Sequence, residues 1–216
     1  MANINDPAIE EYLVAHSAQA DDVLRELAAH TRATFGERAG MQVSADEGAL
    51  LTMLVRLTGA SNAIEVGTFT GYSAICIARG LAEGGRLLCC DVSEEFTAVA
   101  RDYWKRAGLD DRIELRIAPA LPTLQALPLE PVVDFAFVDA DKQGYPAYYA
   151  ELVPRLRSGG LIVLDNVLRG GRVLDASPAS PDAAVMRGFN AVVSSDKRVE
   201  CVMLPVRDGV TLVRKI

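Results

Sequence analysis

Hydrophobic and polar positions follow two alternating patterns along most of the chain. Short apolar runs such as "AIEVG", "RLLCCD", "VVDFAFVDA" and "GLIVLDN" are typical of buried strands. Between them lie segments such as "GYSAICIARGL" and "SEEFTAVARDYWKRAG", whose apolar residues recur at helical spacing. Strands and helices that alternate in this way predict an α/β fold, in which a largely parallel sheet is covered by helices on both faces.

The two ends of the chain depart from this alternation. Residues 7 to about 58 predict mostly helix, and Ser44 and Glu47 in "SADE" have the spacing of a capping box. Near the other end, Ser180 and Pro181 predict a helix that continues to about residue 194. The turn "VRDG" between "RVECVMLP" and "VTLVRKI" then predicts a β-hairpin.

The chain shows no internal repeat, low-complexity tract or linker. We therefore expect a single domain over residues 1–216, made of a helical amino-terminal extension (1–58) and an α/β core (59–216).

Charge and composition restrict the possible partners. The chain has 22 basic and 29 acidic residues, a net charge of −7, which argues against nucleic acid or an anionic membrane as its main partner. It has no apolar run near the ~20 residues that span a bilayer, and "MANINDPAIEEYL" is not a secretory signal. The four cysteines lie in apolar contexts without a C-x-x-C pair, as expected of reduced core residues in a cytoplasmic protein.

A glycine-containing turn follows the first predicted strand of the core. In "EVGTFTGYS", Glu65, Gly67 and Gly71 form E-x-G-x-x-x-G rather than the G-x-G-x-x-G of dinucleotide sites. Asp91 ends the next strand and is suited to accept hydrogen bonds from ribose hydroxyls. Tight packing of strand on helix also selects glycine, but the two carboxylates favour a nucleoside site. S-Adenosyl-L-methionine, with its amino group and sulfonium, suits this site better than NAD.

Oxygen-bearing side chains also end two later strands. Asp139 ends the fourth strand, and Asp165 and Asn166 end the fifth. Neighbouring parallel strands lie about 4.8 Å apart, so these side chains are expected to converge at one sheet edge. Two carboxylates and an amide oxygen suit magnesium better than zinc. The alternative is that each aspartate only caps the segment after it.

Lys142 lies in "DADK", just before a predicted helix. One interpretation is a solvated side chain, and the other is a base that accepts a phenolic proton. Burial, the helix amino terminus and a nearby cation would lower the pKa of its amine, whereas Asp141 would raise it.

The segments "MQVSADEGALL", "EVGTFTGYSA", "FVDADKQGYPAYY", "GGLIVLDNVLRGG" and "DGVTLVRKI" together resemble the cation-dependent O-methyltransferases of the caffeoyl-CoA and catechol type. The resemblance implies a Rossmann-like methyltransferase fold, with a seven-stranded, mostly parallel sheet whose last strand is antiparallel. It implies Mg²⁺, or another divalent cation such as Mn²⁺ or Ca²⁺, on Asp139, Asp165 and Asn166. It further implies Lys142 as the base and a homodimer as the assembly.

The same resemblance implies which residues contact the methyl donor: Val43, Glu65, Gly67, Thr68, Ser73, Asp91, Ala120 and Asp141. The chain departs from the plant members after "DNVL", where it has Arg169 and Gly170 in place of a tryptophan and an asparagine. The implied function is methylation of a catechol-like phenolic small molecule, although a CoA ester of caffeic acid does not follow. The alternatives are an NAD-type oxidoreductase and a donor-binding protein without turnover.

Overall fold

The computed structural model describes residues 7–175, 177 and 179–216. Residues 1–6 of the predicted extension, and residues 176 and 178 of the loop before the last helix, lie outside the described part. The α-helices of this part are α1 (Pro7–Ala15), α2 (Asp22–Phe35), α3 (Ala45–Thr58), α4 (Tyr72–Gly80), α5 (Glu94–Arg106), α6 (Ala120–Gln125), α7 (Tyr145–Arg155) and α8 (Pro181–Ser195).

Seven strands form one sheet in the described part: β1 (Asn62–Val66), β2 (Arg86–Asp91), β3 (Ile113–Ile117), β4 (Val133–Val138), β5 (Leu156–Asp165), β6 (Val199–Leu204) and β7 (Val210–Lys215). Their order across the sheet is β3-β2-β1-β4-β5-β7-β6. The pairs among β1 to β5 are parallel, and β7 is antiparallel to both β5 and β6. The predicted Rossmann-like sheet with an antiparallel last strand is confirmed.

The strands have two buried faces, and each face packs against its own layer of helices. In β4, Phe135 and Phe137 join a core cluster with residues of α2 to α5, whereas Ala136 and Val138 join a second cluster with α6 to α8. Successive strand residues point to opposite faces, so a strand that is buried on both sides is apolar at most of its positions. This requirement explains why the strands of the core were recognisable as continuous apolar runs.

Most predicted boundaries agree with the structure. The helix predicted from Pro181 and the hairpin around "VRDG" are both present. Pro154 lies inside the last turn of α7, and β5 begins at Leu156, earlier than the predicted strand. Cys201 was expected in the core but is exposed on the edge strand β6, where its thiol lies 4.0 Å from the Val193 carbonyl oxygen of α8. In the described part, no helix has the length and apolar character needed to cross a bilayer.

Candidate active site

A cavity of about 710 Å³ opens at the carboxyl ends of the strands. It lies where the sheet order reverses between β1 and β4, which is the usual ligand site of open α/β sheets. All but one of the predicted site residues line it: Val43, Gly67, Thr68, Ser73, Asp91, Ala120, Asp139, Asp141, Lys142, Asp165 and Asn166. The fold therefore collects residues from widely separated parts of the chain around one space.

The glycine turn after β1 is shaped by its contact with the end of β4. Gly67 has φ +90°, and a Cβ atom at this position would lie 1.9 Å from the Asp139 carbonyl oxygen. The Gly67 amide also donates to the Cys90 carbonyl at 2.9 Å. Only glycine satisfies both the left-handed conformation and this close approach. The residue thus sets the distance between the glycine turn and Asp139.

Asp91 at the end of β2 holds the glycine turn from the other side. Its Oδ2 accepts hydrogen bonds from the Thr68 and Phe69 amides at 2.8 and 2.9 Å. Its Oδ1 accepts from the Ser93 amide at 2.8 Å. Three backbone amides occupy most of the acceptor capacity of one carboxylate. Asp91 therefore shapes the loop as well as lining the cavity, a role that its position at a strand end does not reveal.

Glu65 is the one predicted donor residue that does not line the cavity in the described part. Its side chain is fully buried beneath the glycine turn, where burial raises the pKa of the carboxyl to about 7. The Cys89 thiol lies 3.3 Å from Glu65 Oε2, while Oε1 lacks a hydrogen-bond partner among the described residues. The predicted contact of Glu65 with a donor remains a prediction.

Asp139 and Asp165 meet at adjacent strand ends, as the sequence predicted. Val138 pairs with Leu164 between β4 and β5, so the residue after each of these lies at the same edge. Asp165 is 2% exposed. Burial and the nearby Asp139 carboxylate raise its pKa. Asn166 follows in the left-handed conformation, with φ +53°, which asparagine tolerates better than most residues.

Glu47 is a site residue that the sequence reasoning missed. The capping-box spacing placed it at the start of a helix, and Ser44 is indeed the N-cap residue of α3. However, the Ser44 side chain makes no capping hydrogen bond in the described part. Glu47 is instead 2% exposed and lines the cavity. Burial, Asp165 and Asp139 all raise the pKa of its carboxyl.

Lys142 is held in a buried position beside these carboxylates. Its Nζ lies 3.1 Å from Asp139 Oδ1, 2.6 Å from the Tyr145 hydroxyl and 3.5 Å from the Asp165 carbonyl oxygen. Three acceptors match the three N–H donors of an ammonium group. The side chain is 6% exposed, so the interpretation of Lys142 as a solvated lysine is wrong.

The Asp141 carboxylate has other partners than the ammonium group of Lys142, although the two residues are adjacent in sequence. Its carboxylate accepts hydrogen bonds from the Gly144 amide at 2.9 Å and from the Tyr148 hydroxyl at 2.6 Å. The carboxylate that pairs with Lys142 is therefore that of Asp139. This arrangement places Asp141 and Tyr148 on the side of the cavity formed by the glycine turn and Ala120.

The family model described as O-methyltransferase matches residues 14–216. The chain belongs to the O-methyltransferase family. It is 39% identical to the probable caffeoyl-CoA O-methyltransferase 1 of Dictyostelium discoideum over 97% of this chain and 92% of that protein. It is 36% identical to the catechol O-methyltransferase domain-containing protein 1 of Mus musculus, over 98% of this chain and 81% of that protein.

A solved structure of an O-methyltransferase has the same fold as this chain. The O-methyltransferase from Bacillus cereus, determined in complex with SAH, superposes with a TM-score of 0.88 at 34% identity. The superposition covers 97% of each chain. The protein is thus an O-methyltransferase, and the alternative of an NAD-type oxidoreductase is set aside.

The oxygen atoms around Asp165 suit a divalent cation. In the described part, no three histidine, cysteine, aspartate or glutamate side chains are grouped so as to hold a metal ion. The predicted set in this O-methyltransferase has only two carboxylates, with the Asn166 amide as its third member. Crowded, buried carboxylates repel each other, and a cation would relieve that repulsion. Hard oxygen donors of this kind are the ligands that magnesium prefers, so the residues fit such an ion.

Proposed function

We propose that this O-methyltransferase transfers a methyl group from S-adenosyl-L-methionine to one hydroxyl of a catechol-like phenol, with the help of a divalent cation. The observation that carries the proposal is the meeting of Asp139, Lys142 and Asp165 in the cavity that the glycine turn also lines. A binding protein without turnover has no need of a buried lysine that pairs with the Asp139 carboxylate and contacts the Asp165 backbone carbonyl.

The donor side of the cavity offers polar groups for a nucleoside. Thr68 Oγ1 is buried at the cavity wall and has no hydrogen-bond partner among the described residues. Tyr148 and the Gly144 amide fix the direction of the Asp141 carboxylate. The nearby apolar residues Val43, Ala118 and Ala120 provide a surface against a planar base. This division into a polar and an apolar side is typical of small-ligand sites.

The acceptor side supplies the proton chemistry. Asp139, Asp165 and Asn166 would hold the cation, which supplies Lewis-acid polarisation of a phenolic oxygen when bound. Lys142 is placed to hold a proton at Nζ or to stabilise negative charge on the phenolic oxygen, because its nitrogen is fixed by three partners. Lys142 and Asp165 are buried, so their charges act in a medium of lower dielectric constant than water.

The test is conversion of S-adenosyl-L-methionine to S-adenosylhomocysteine with a panel of catechols, with magnesium and with excess chelator. We expect turnover only with both catechol and metal. Asp139→Asn should lose metal-dependent turnover and keep donor binding, measured by calorimetry. Asp102→Asn, an exposed change on α5, is the matched control. Turnover that is unchanged by the chelator, or full activity of Asp139→Asn, would contradict the proposed cation site. Donor binding without any turnover would favour a non-catalytic protein.

We further propose, from the family resemblance, that the protein is a cytoplasmic homodimer. Light scattering coupled to size-exclusion chromatography tests the dimer: a mass near twice the 23.2 kDa of one chain is expected, and a monomer at micromolar concentration would contradict it.

A further inference from the structure

Two short loops form the wall of the cavity beyond Asn166. One covers residues 166–171 after β5, and the other is the turn 206–209 between β6 and β7. The Leu168 amide donates to the Asp208 carbonyl oxygen at 2.9 Å, and the Gly170 amide donates to Asp208 Oδ1 at 2.5 Å. Because backbone groups tie the loops together, the two loops form one wall with a defined shape.

Each loop presents an arginine to the cavity from a left-handed backbone. Arg169 has φ +52° and Arg207 has φ +49°, and both line the cavity. This conformation is unfavourable for a residue with a long side chain. Glycine, which adopts it freely, stands directly after Arg169. Strained residues that persist beside a cavity point to a functional requirement for their side chains.

The Arg169 guanidinium is oriented but only loosely paired. The nearest carboxylate oxygens belong to Asp182, at 3.6 Å, and Asp208, at 3.9 Å. Both distances exceed that of a hydrogen bond. Its Nε atom is buried and lacks a hydrogen-bond partner within the described ranges. A guanidinium has five N–H donors arranged to grip a planar anion. Arg169 therefore retains most of its capacity to bind one.

On the basis of the proposed function, we propose that Arg169 binds an anionic group on the methyl acceptor, namely a carboxylate on the catechol ring or on a short side chain. Arg169 follows the predicted cation ligand Asn166 by three residues, so hydroxyls near the cation and a carboxylate near Arg169 share one wall. Arg207 adds a second positive charge at the exposed rim of the same wall. A bidentate pair with a carboxylate would fix the orientation of the ring as well as its affinity.

A phosphate at the end of a coenzyme A thioester offers the same anionic chemistry. The cavity volume favours the carboxylate, because about 710 Å³ must hold the donor as well as the acceptor. A single-ring acid fits such a space. Most of a coenzyme A group would lie outside it, and its phosphates would be separated from the ring by the length of the pantetheine arm.

The test compares 3,4-dihydroxybenzoate with 3,4-dihydroxybenzamide, its neutral counterpart of nearly equal shape. The wild-type enzyme should favour the acid by about 10- to 100-fold in kcat/KM, the effect of a hydrogen-bonded charge pair. In Arg169→Gly this preference should fall to within about threefold, because the charge that distinguishes the acid from the amide is gone. Glycine is the chosen replacement because it relieves the left-handed backbone, so the variant should fold at least as well.

The matched control is Arg187→Gln on α8, which removes one exposed positive charge that does not line the cavity. It should keep the preference for the acid. Equal use of acid and amide by the wild type, or equal loss of both in Arg169→Gly, would overturn the proposal. So would a preference for the acid that survives in Arg169→Gly.

Calorimetric binding of the two compounds separates this proposal from the proposed function, because binding needs no turnover. Acid-selective binding that depends on Arg169 would support the carboxylate site even if no methyl group is transferred. Comparison of caffeate with caffeoyl-CoA separates the two anions. If only the binding of the thioester depends on Arg169, the arginine binds a phosphate, and the proposal of a carboxylate site is wrong.

Discussion

Replacement of Gly67 by alanine tests how the fold places the glycine turn against Asp139. In Gly67→Ala the new Cβ would lie 1.9 Å from the Asp139 carbonyl oxygen and 2.7 Å from its carbonyl carbon. Because both of these atoms are backbone, no side-chain rotation relieves the contact. One of the two strand ends must move by about 1.5 Å to bring this 1.9 Å contact to van der Waals distance.

The cost has two parts. A non-glycine residue in a left-handed conformation costs about 1–2 kcal/mol, and displacing packed backbone adds about 1–3 kcal/mol. Gly59 separates these parts, because it has φ +61° and no described heavy atom within 4 Å of an added Cβ. Gly59→Ala should therefore lose only about 1 kcal/mol of unfolding free energy, and Gly67→Ala about 3–4 kcal/mol.

Denaturant unfolding followed by circular dichroism measures both variants. For a chain of this size, about 1 kcal/mol corresponds to 2–4 °C in Tm, so thermal scans should separate the two variants clearly. Gly67→Ala should also lower turnover, since the displaced backbone carries Asp139. Equal losses of stability in the two variants would contradict a steric role for the contact between Gly67 and the Asp139 backbone. The left-handed conformation alone would then account for the need for glycine at this position.

Two further predictions concern Glu47 and Lys142, which both lie beside Asp139 and Asp165. Burial and the neighbouring carboxylates of Asp165 and Asp139 raise the pKa of Glu47 from 4.5 to about 9. Between these two pH values the folded state therefore binds more protons than the unfolded state. The metal-free protein should lose stability as the pH rises through this range. Glu47→Gln should flatten that pH dependence in urea titrations, and an unchanged slope would contradict the assignment. Lys142→Met should lower kcat about 10²- to 10⁴-fold with donor affinity retained in calorimetry, whereas a loss of donor binding alone would show that Lys142 does not act on the acceptor.

The sequence by itself determined the fold class and the strand-end residues of the cavity. A strand buried on both faces is mostly apolar, so the strands of the core were visible as apolar runs. Because these strands are parallel, polar residues at the carboxyl ends of the runs lie at one edge of the sheet. Asp91, Asp139 and Asp165 were found in this way, since strand direction fixes their positions without knowledge of side-chain geometry. Asp141 was predicted only from the family resemblance.

Tertiary structure alone decided how these residues are partnered. Glu47 lies on a helix, so the pattern of strand ends did not include it. Its capping-box spacing predicted a helix cap, whereas its side chain lines the cavity near Asp165. Asp139 rather than the adjacent Asp141 pairs with Lys142. The left-handed backbone of Arg169 is equally invisible in the sequence. The positions of strands and helices along the chain follow from periodicity, which is a local property. Pairing among buried charges depends on packing between segments far apart in the chain, and no local pattern encodes it.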